Sequence, residues 1–186
     1  SRLLGMRDSG DAQRAASAVA EGEAMLVMVL LDAPVGAAET VLATAEQAMI
    51  LQASTFQAPA GIPDYFVQDL LFPYSAGFAA VLRRYREAGW DGVDTLLRSP
   101  PTTTAALLYP HLAGTGAAVE DGALPDPPDG WEEVLTDTFG AWGLRFWLSR
   151  ALPAADAEAL AAHWDGDRLR LIRRRAAGSW SLAWRL

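Results

Sequence analysis

The chain has 186 residues, a net charge of −8 and no cysteine. The acidic balance argues against a general nucleic-acid-binding surface, which needs clustered basic residues to displace counterions. Without cysteine the chain can form neither a disulfide nor a thiolate metal site. Apolar residues make up 51% of the sequence, which is ordinary for a globular domain. No apolar run reaches the roughly 18 residues that a membrane-spanning helix needs.

Helical patterns dominate the chain up to residue 165. Ser9 or Asp11 is expected to cap a first helix that ends near Leu31, because a side-chain oxygen there accepts from unpaired backbone amides. A second helix is predicted over residues 36–54. Shorter helices follow, separated by Pro and Gly signals, with Gly89 as the end of the second of them; they cover residues 63–72, 74–89, 90–101 and 102–110.

The last third of the chain combines a loop, helices and a hairpin. Residues 111–130 are rich in Gly, Pro and Asp, which predicts a loop. Helix is expected to resume over residues 130–152, and Pro153 opens another helix. The alternating pattern from residue 166 onwards predicts a β-hairpin over 166–186.

These elements predict a mainly α fold with a minor β part. We expect one domain over residues 1–186, helical over 1–165 and completed by the hairpin. The alternation of Trp180, Leu182 and Trp184 places these side chains on one face of the hairpin, and that face must be covered. We expect it to pack on the aromatic helix that contains Trp142, Phe146 and Trp147.

The sequence Glu-Gly-Glu-Ala at residues 21–24 places two carboxylates around a glycine, at the start of an apolar run. At about 100° per residue, Glu21 and Glu23 point about 200° apart around a helix. A carboxylate in an apolar helix needs a cation, a hydrogen-bond donor or a metal ion, because burying an isolated charge is costly. Two alternatives stay open: the glutamates pair with arginines near an exposed end, or one of them binds a ligand.

Three stretches of the chain, taken in order, resemble a family of bacterial secreted or lipoprotein-type zinc metallopeptidases of the gluzincin kind; they are residues 21–24, 72–110 and 163–171. In that family a His-Glu-x-x-His helix precedes the acidic element, and its two histidines bind zinc while its glutamate activates water. The resemblance implies that Glu21 is the third zinc ligand and that Glu23 orients a ligand by a hydrogen bond. It also implies a peptide or protein substrate and an extracytoplasmic location.

The chain lacks the zinc-binding residues that define this family. It contains no His-Glu-x-x-His, and its two histidines, His111 and His163, lie in different segments. Ala105 and Tyr109 stand where the family has a glutamate and a histidine. The sequence begins just beyond the point where the metal helix would end, so we expect no catalytic residue, no cofactor and no bound zinc in the chain as given.

Two functions therefore remain for the chain. One is a fragment or degenerate relative of the peptidase that contributes the third-ligand helix and the substrate cleft. The alternative is a non-catalytic binding or scaffolding domain with the same fold. Zinc would belong to a longer parent protein, and the oligomeric state is not predicted.

Other polar and aromatic clusters have simpler interpretations. His111 is expected to be solvated and His163 to lie at a helix end, where the dipole favours it. The arginines of residues 168–175 are expected to protect an edge strand, with an anion or acidic-partner site as the alternative. The seven tryptophans predict an aromatic core, or a carbohydrate platform if they are exposed.

Overall fold

A computed structural model of the chain describes residues 9–112, 124–175 and 178–186. The fold is mainly α with a small antiparallel sheet, as predicted. In chain order the elements are α1 (Gly10–Leu31), α2 (Ala38–Thr55), α3 (Asp64–Arg98), α4 (Thr104–Leu108), β1 (Trp131–Asp137), α5 (Gly140–Leu148), α6 (Ala154–Ala161), β2 (Arg168–Arg174) and β3 (Trp180–Arg185).

The chain divides into two compact units. The helical unit comprises Arg14–Thr102, and the sheet unit comprises Ser1–Gln13 with Thr103–Leu186. The prediction of a single domain stays a prediction. None of the helices in the described ranges is both long and apolar enough to cross a membrane.

Helix α1 begins and ends where the sequence predicts. Ser9 Oγ accepts a hydrogen bond from the backbone N–H of Ala12 at 3.2 Å, which satisfies one of the unpaired amides at the helix start. The other candidate cap, Asp11, lies inside the first turn with a fully buried side chain. The Asp11 side chain therefore lies in the interior of the sheet unit, and Asp11 is not the cap.

Helices α1 and α3 pack with their backbones in direct contact inside the helical unit. A Cβ atom added to Gly77 would lie 2.0 Å from the carbonyl oxygen of Ala18, and one added to Gly22 would lie 2.3 Å from the carbonyl carbon of Gly77. Because side chains would hold the helices apart, only glycine fits at both positions. The glycine between Glu21 and Glu23 is thus a helix-packing residue.

Helix α3 joins segments that the sequence predicts as separate helices. Pro73 lies inside α3, although proline in a helix interior removes a hydrogen bond and costs about 3 kcal/mol. Phe72 and Phe78 on either side of it are both buried, and that burial offsets the cost. Gly89 has a φ of 59° and interrupts the helix at the predicted stop, after which the helix resumes to Arg98.

The sheet contains a strand that the sequence analysis assigned to a helix. Residues 131–137 form β1, which pairs antiparallel with β2, and β2 pairs antiparallel with β3 in the predicted hairpin. The helical prediction for 131–137 is wrong because cross-strand partners decide the structure of this segment. Glu132 pairs with Arg173 at the same register position, and ion pairs across a ladder favour the strand.

The hairpin packs on the aromatic helix through Trp184. The Trp184 ring meets the rings of Trp147 and Phe139 edge to face, at centroid distances of 5.4 and 5.6 Å. The predicted coverage of the whole face is wrong for Trp180 and Leu182, which are 54% and 59% exposed. Helix α5 has nine residues, and its Trp147 meets the hairpin at Trp184.

Candidate functional site

Glu21 and Glu23 both lie on the regular part of α1 and diverge as the helical spacing predicts. Both side chains are partly exposed. No described residue forms an ion pair or a hydrogen bond with either carboxylate, so the predicted pairing with arginine is not seen in these ranges. Arg14, two turns before Glu21, instead binds Asp69 and Tyr65.

An apolar groove of about 410 Å³ opens in the helical unit. It is bordered by α1, α2 and α3, and its lining side chains are apolar except for the Gln52 amide and the Tyr74 hydroxyl; they are Met25, Ala45, Ala48, Met49, Gln52, Leu71 and Tyr74. We call it the Met groove. Two methionines give its walls a flexible and polarisable surface that adapts to different apolar partners.

Glu21 is near the Met groove by helical position but does not line it. Met25 lines the groove, and Glu21 lies one helical turn before Met25 on the same face of α1. A third zinc ligand is expected to face a partly polar cavity. The groove on its face of α1 is mainly apolar, and Glu21 is not among the residues that line it.

Large apolar side chains remain exposed along the first half of α3. Phe66, Leu70 and Tyr74 follow one another at intervals of four residues, so they form one stripe on the helix. They are 61%, 68% and 39% exposed, and Tyr74 also lines the Met groove. Exposed apolar surface next to a groove is typical of interaction sites.

The described residues hold no ready-made metal site. Within them, no three His, Asp or Glu side chains are close enough together to bind one ion. His111 is exposed. His163 follows α6, where its Nδ1 lies 2.9 Å from the carbonyl oxygen of Ala159, in agreement with the predicted position at a helix end.

The sheet unit contains a buried carboxylate that the sequence analysis missed. Asp167 accepts hydrogen bonds from the backbone N–H groups of Phe139 and Gly140 at 2.7 and 2.8 Å, and from the Trp164 indole at 2.8 Å. The first two donors belong to the start of α5, where a negative charge is favourable. The Trp-Asp-Gly-Asp sequence at residues 164–167 was the available signal.

A second buried carboxylate lies on the other side of Gly140. Asp11 accepts from the backbone N–H of Thr104 at 3.0 Å and from its hydroxyl at 2.5 Å, and that hydroxyl accepts from the backbone N–H of Trp142. A Cβ atom on Gly140 would overlap the Asp11 carboxylate. Since each oxygen of both carboxylates accepts at least one hydrogen bond from the protein, the two side chains organise the interior of the sheet unit.

The arginine cluster lies on the central strand of the sheet, so its assignment to an edge strand is wrong. Strand β2 has a neighbour on each side. Glu132 Oε1 accepts from Arg173, its Oε2 lies 3.3 Å from Arg175, and Arg173 lowers the pKa of this carboxyl. Arg170 donates to the carbonyl oxygens of Leu124 and Pro125. These contacts give the cluster a structural role.

The two positions at which the chain departs from the resembled family lie at the same hydrophobic cluster of the sheet unit. Ala105 belongs to the buried core of the sheet unit, and Tyr109 packs on that core. Burial, followed by the neighbouring Glu158 carboxylate, raises the pKa of Tyr109 above its usual value. Glu158 also pairs with Arg145 at 2.9 Å.

Comparison with known proteins adds no relative to this description. No protein-family model, no curated protein and no solved structure matches the chain.

Proposed function

We propose that the helical unit binds an apolar peptide segment in the Met groove, as the substrate-cleft part of a metallopeptidase-like protein. The proposal rests on the apolar groove and on the exposed apolar residues beside it. A groove of this volume accepts a few large side chains. The stripe of Phe66, Leu70 and Tyr74 extends the apolar surface along the same helix.

A helical or extended peptide suits this surface better than a small polar ligand. The lining offers one amide and one phenol, which is too few polar groups to orient a polar molecule on every side. Apolar anchors spaced by three and four residues on a peptide helix fit grooves between helices. Methionine walls favour tolerance for different side chains over strict selection.

A substitution that fills the groove tests this proposal. Ala48 is exposed and lines the groove, so Ala48→Trp is expected to occupy the space without disturbing the core. Ala38 is also exposed on α2 and does not line the groove, which makes Ala38→Trp the matched control. The probe is a fluorescent amphipathic peptide with leucines at i, i+3, i+4 and i+7 and uncharged polar residues elsewhere.

We expect Ala48→Trp to weaken binding of this peptide by about tenfold or more, because each excluded apolar side chain is worth roughly 1.5–3 kcal/mol. Ala38→Trp should bind like the unmodified chain in the same anisotropy titration. Equal affinity of the two variants, or no binding to the unmodified chain at millimolar peptide, would contradict the proposal.

The second candidate is zinc binding by Glu21 in a longer polypeptide that contains a His-Glu-x-x-His helix. It is supported by the partly exposed Glu21 carboxylate, which has no partner within the described ranges. A carboxylate and two histidines form a common catalytic zinc set. Glu23 points away around α1 and would act through a hydrogen bond at most. Without metal, the same groove serves a non-catalytic binding domain.

Zinc titration separates these candidates. The 186-residue chain is expected to show no tight one-to-one zinc site in calorimetry, because it offers Glu21 and no histidine pair. In a polypeptide that joins this chain to a His-Glu-x-x-His helix, Glu21→Ala should abolish stoichiometric zinc binding and peptide hydrolysis. Glu23→Ala should have the smaller effect. Unchanged zinc affinity in Glu21→Ala would reject the ligand assignment.

A further inference from the structure

From the charges around the Met groove, we infer that its ligand is a cationic amphipathic peptide segment, whose apolar side chains enter the groove and whose basic residues meet Glu21 and Asp32. The inference rests on the proposed function and adds the chemical class of the ligand. It follows from three features of the helical unit: its sequence composition, the row of residues on α1 and the electrostatics of the helix ends.

Every residue that lines the groove belongs to a stretch of the chain that carries negative charge only. Between Arg14 and Arg83 the sequence contains no arginine, lysine or histidine, but it contains seven acidic residues: Glu21, Glu23, Asp32, Glu39, Glu46, Asp64 and Asp69. Some of these charges are compensated from outside the stretch. Arg86 binds both Glu39 and Glu46, and Arg14 binds Asp69.

Two of the remaining carboxylates frame the groove-lining face of α1. Glu21, Met25, Met28 and Asp32 follow one another at intervals of four, three and four residues, so they form one row along the helix. Met25 lines the groove and Met28 is 58% exposed. The row therefore has apolar side chains in its middle and a carboxylate at each end, about 16 Å apart at 1.5 Å per residue.

The position of Asp32 is unfavourable for the isolated helix. Asp32 follows directly after the last residue of α1, and its backbone N–H reaches the carbonyl oxygen of Met28 at 3.3 Å. The carbonyl groups at a helix end already give it partial negative charge, which a basic residue normally balances. Neither α1 nor α2 has a basic residue in its last turn. A cation from a partner would supply the missing balance.

Other occupants fit this charge pattern less well. A second copy of the chain would bring the same carboxylates together, and like charges in contact are repulsive. Anionic lipid surfaces and nucleic acids would be repelled for the same reason. A peptide helix with basic residues about three turns apart and apolar residues between them matches both ends of the row.

The test compares three peptides with one apolar face. The neutral peptide of the groove experiment is changed at two positions eleven residues apart, to arginine in the cationic version and to glutamate in the anionic version. Binding to the full chain is measured with a chelator present, because a metal ion on Glu21 would remove its charge. We expect the cationic peptide to bind about tenfold more tightly than the neutral one at low salt, and the anionic peptide to bind most weakly.

A change of salt concentration and substitutions of the two carboxylates test the origin of this preference. The preference should largely disappear at about 0.5 M salt, where exposed charges are screened. Glu21→Gln and Asp32→Asn should each lower the affinity for the cationic peptide about two- to fivefold and leave the affinity for the neutral peptide unchanged. Glu23→Gln is the matched control, since Glu23 lies about 200° away from Glu21 around α1, and it should change neither affinity.

The outcomes distinguish the inference from the proposed function. Equal binding of cationic and neutral peptides, or an effect of Glu23→Gln as large as that of Glu21→Gln, would overturn the inference while the groove remains a peptide site. Absence of binding by every peptide would overturn both. A change in the molar mass of the free chain caused by Ala48→Trp in sedimentation would assign the groove to a second copy and would also overturn the inference.

Discussion

Replacing Gly77 by alanine is expected to lower the free energy of unfolding of the helical unit by about 3 kcal/mol or more. The added methyl group would lie 2.0 Å from the carbonyl oxygen of Ala18. That atom belongs to the backbone of α1 and cannot rotate away, so the two helices must separate. Gly22→Ala should have a similar effect, because its Cβ atom would meet the backbone of Gly77.

Gly61→Ala is the control for this prediction. Gly61 has a φ of 86°, and no atom lies within 4 Å of the position of an added Cβ. This variant therefore carries only the backbone strain, about 1 kcal/mol or somewhat more. Denaturant unfolding followed by circular dichroism measures all three. If Gly77→Ala lowers the free energy of unfolding no more than Gly61→Ala does, the backbones of α1 and α3 are not in close contact.

Removal of the Asp167 carboxylate is the second change with a large expected effect. Asp167→Ala would leave the N–H groups of Phe139 and Gly140 and the indole of Trp164 without their acceptor. Each buried donor that loses its partner costs about 1–3 kcal/mol, so we expect a loss of about 3 kcal/mol or more in the sheet unit. Asp167→Asn should show a smaller loss of stability than Asp167→Ala, because an amide keeps one acceptor oxygen.

Asp165→Ala is the matched control for the Asp167 variants. Asp165 is exposed two residues earlier in the same turn region, and its replacement should change the stability by less than about 0.5 kcal/mol. Thermal unfolding followed by tryptophan fluorescence measures the unfolding midpoints of the variants. Similar midpoints for Asp167→Ala and Asp165→Ala would show that the buried acceptor does not hold the start of α5.

The sequence predicted the parts of the fold that local signals determine. The extent of α1, the positions of α2 and α6 and the hairpin β2–β3 follow from caps, apolar periodicity and strand alternation. Strand β1 could not be predicted in this way, because its partners Arg170 and Arg173 lie far away in the chain. Pro73 falls between two of the predicted helices, whereas tertiary burial keeps it inside α3.

The candidate site was predictable only in part. The helical spacing gave the divergence of Glu21 and Glu23, but it did not reveal that Gly22 is required by the backbone of α3. The Met groove depends on how α2 packs beside α1 and α3, which single-sequence patterns do not determine. The acidic composition of residues 15–82 can be read from the sequence. Its relation to ligand binding requires the structure, because only the structure shows an apolar groove between these charges.

Methionine methyl NMR tests peptide binding in the Met groove most directly. The chain has four methionines; Met25 and Met49 line the groove, and Met28 is exposed next to Asp32 in the α1 row. With ¹³C-methyl labelling, addition of the cationic amphipathic peptide to the full chain is expected to shift the Met25 and Met49 resonances in proportion to the bound fraction. Unchanged Met25 and Met49 resonances at saturating peptide would contradict the assignment of this groove as the peptide site.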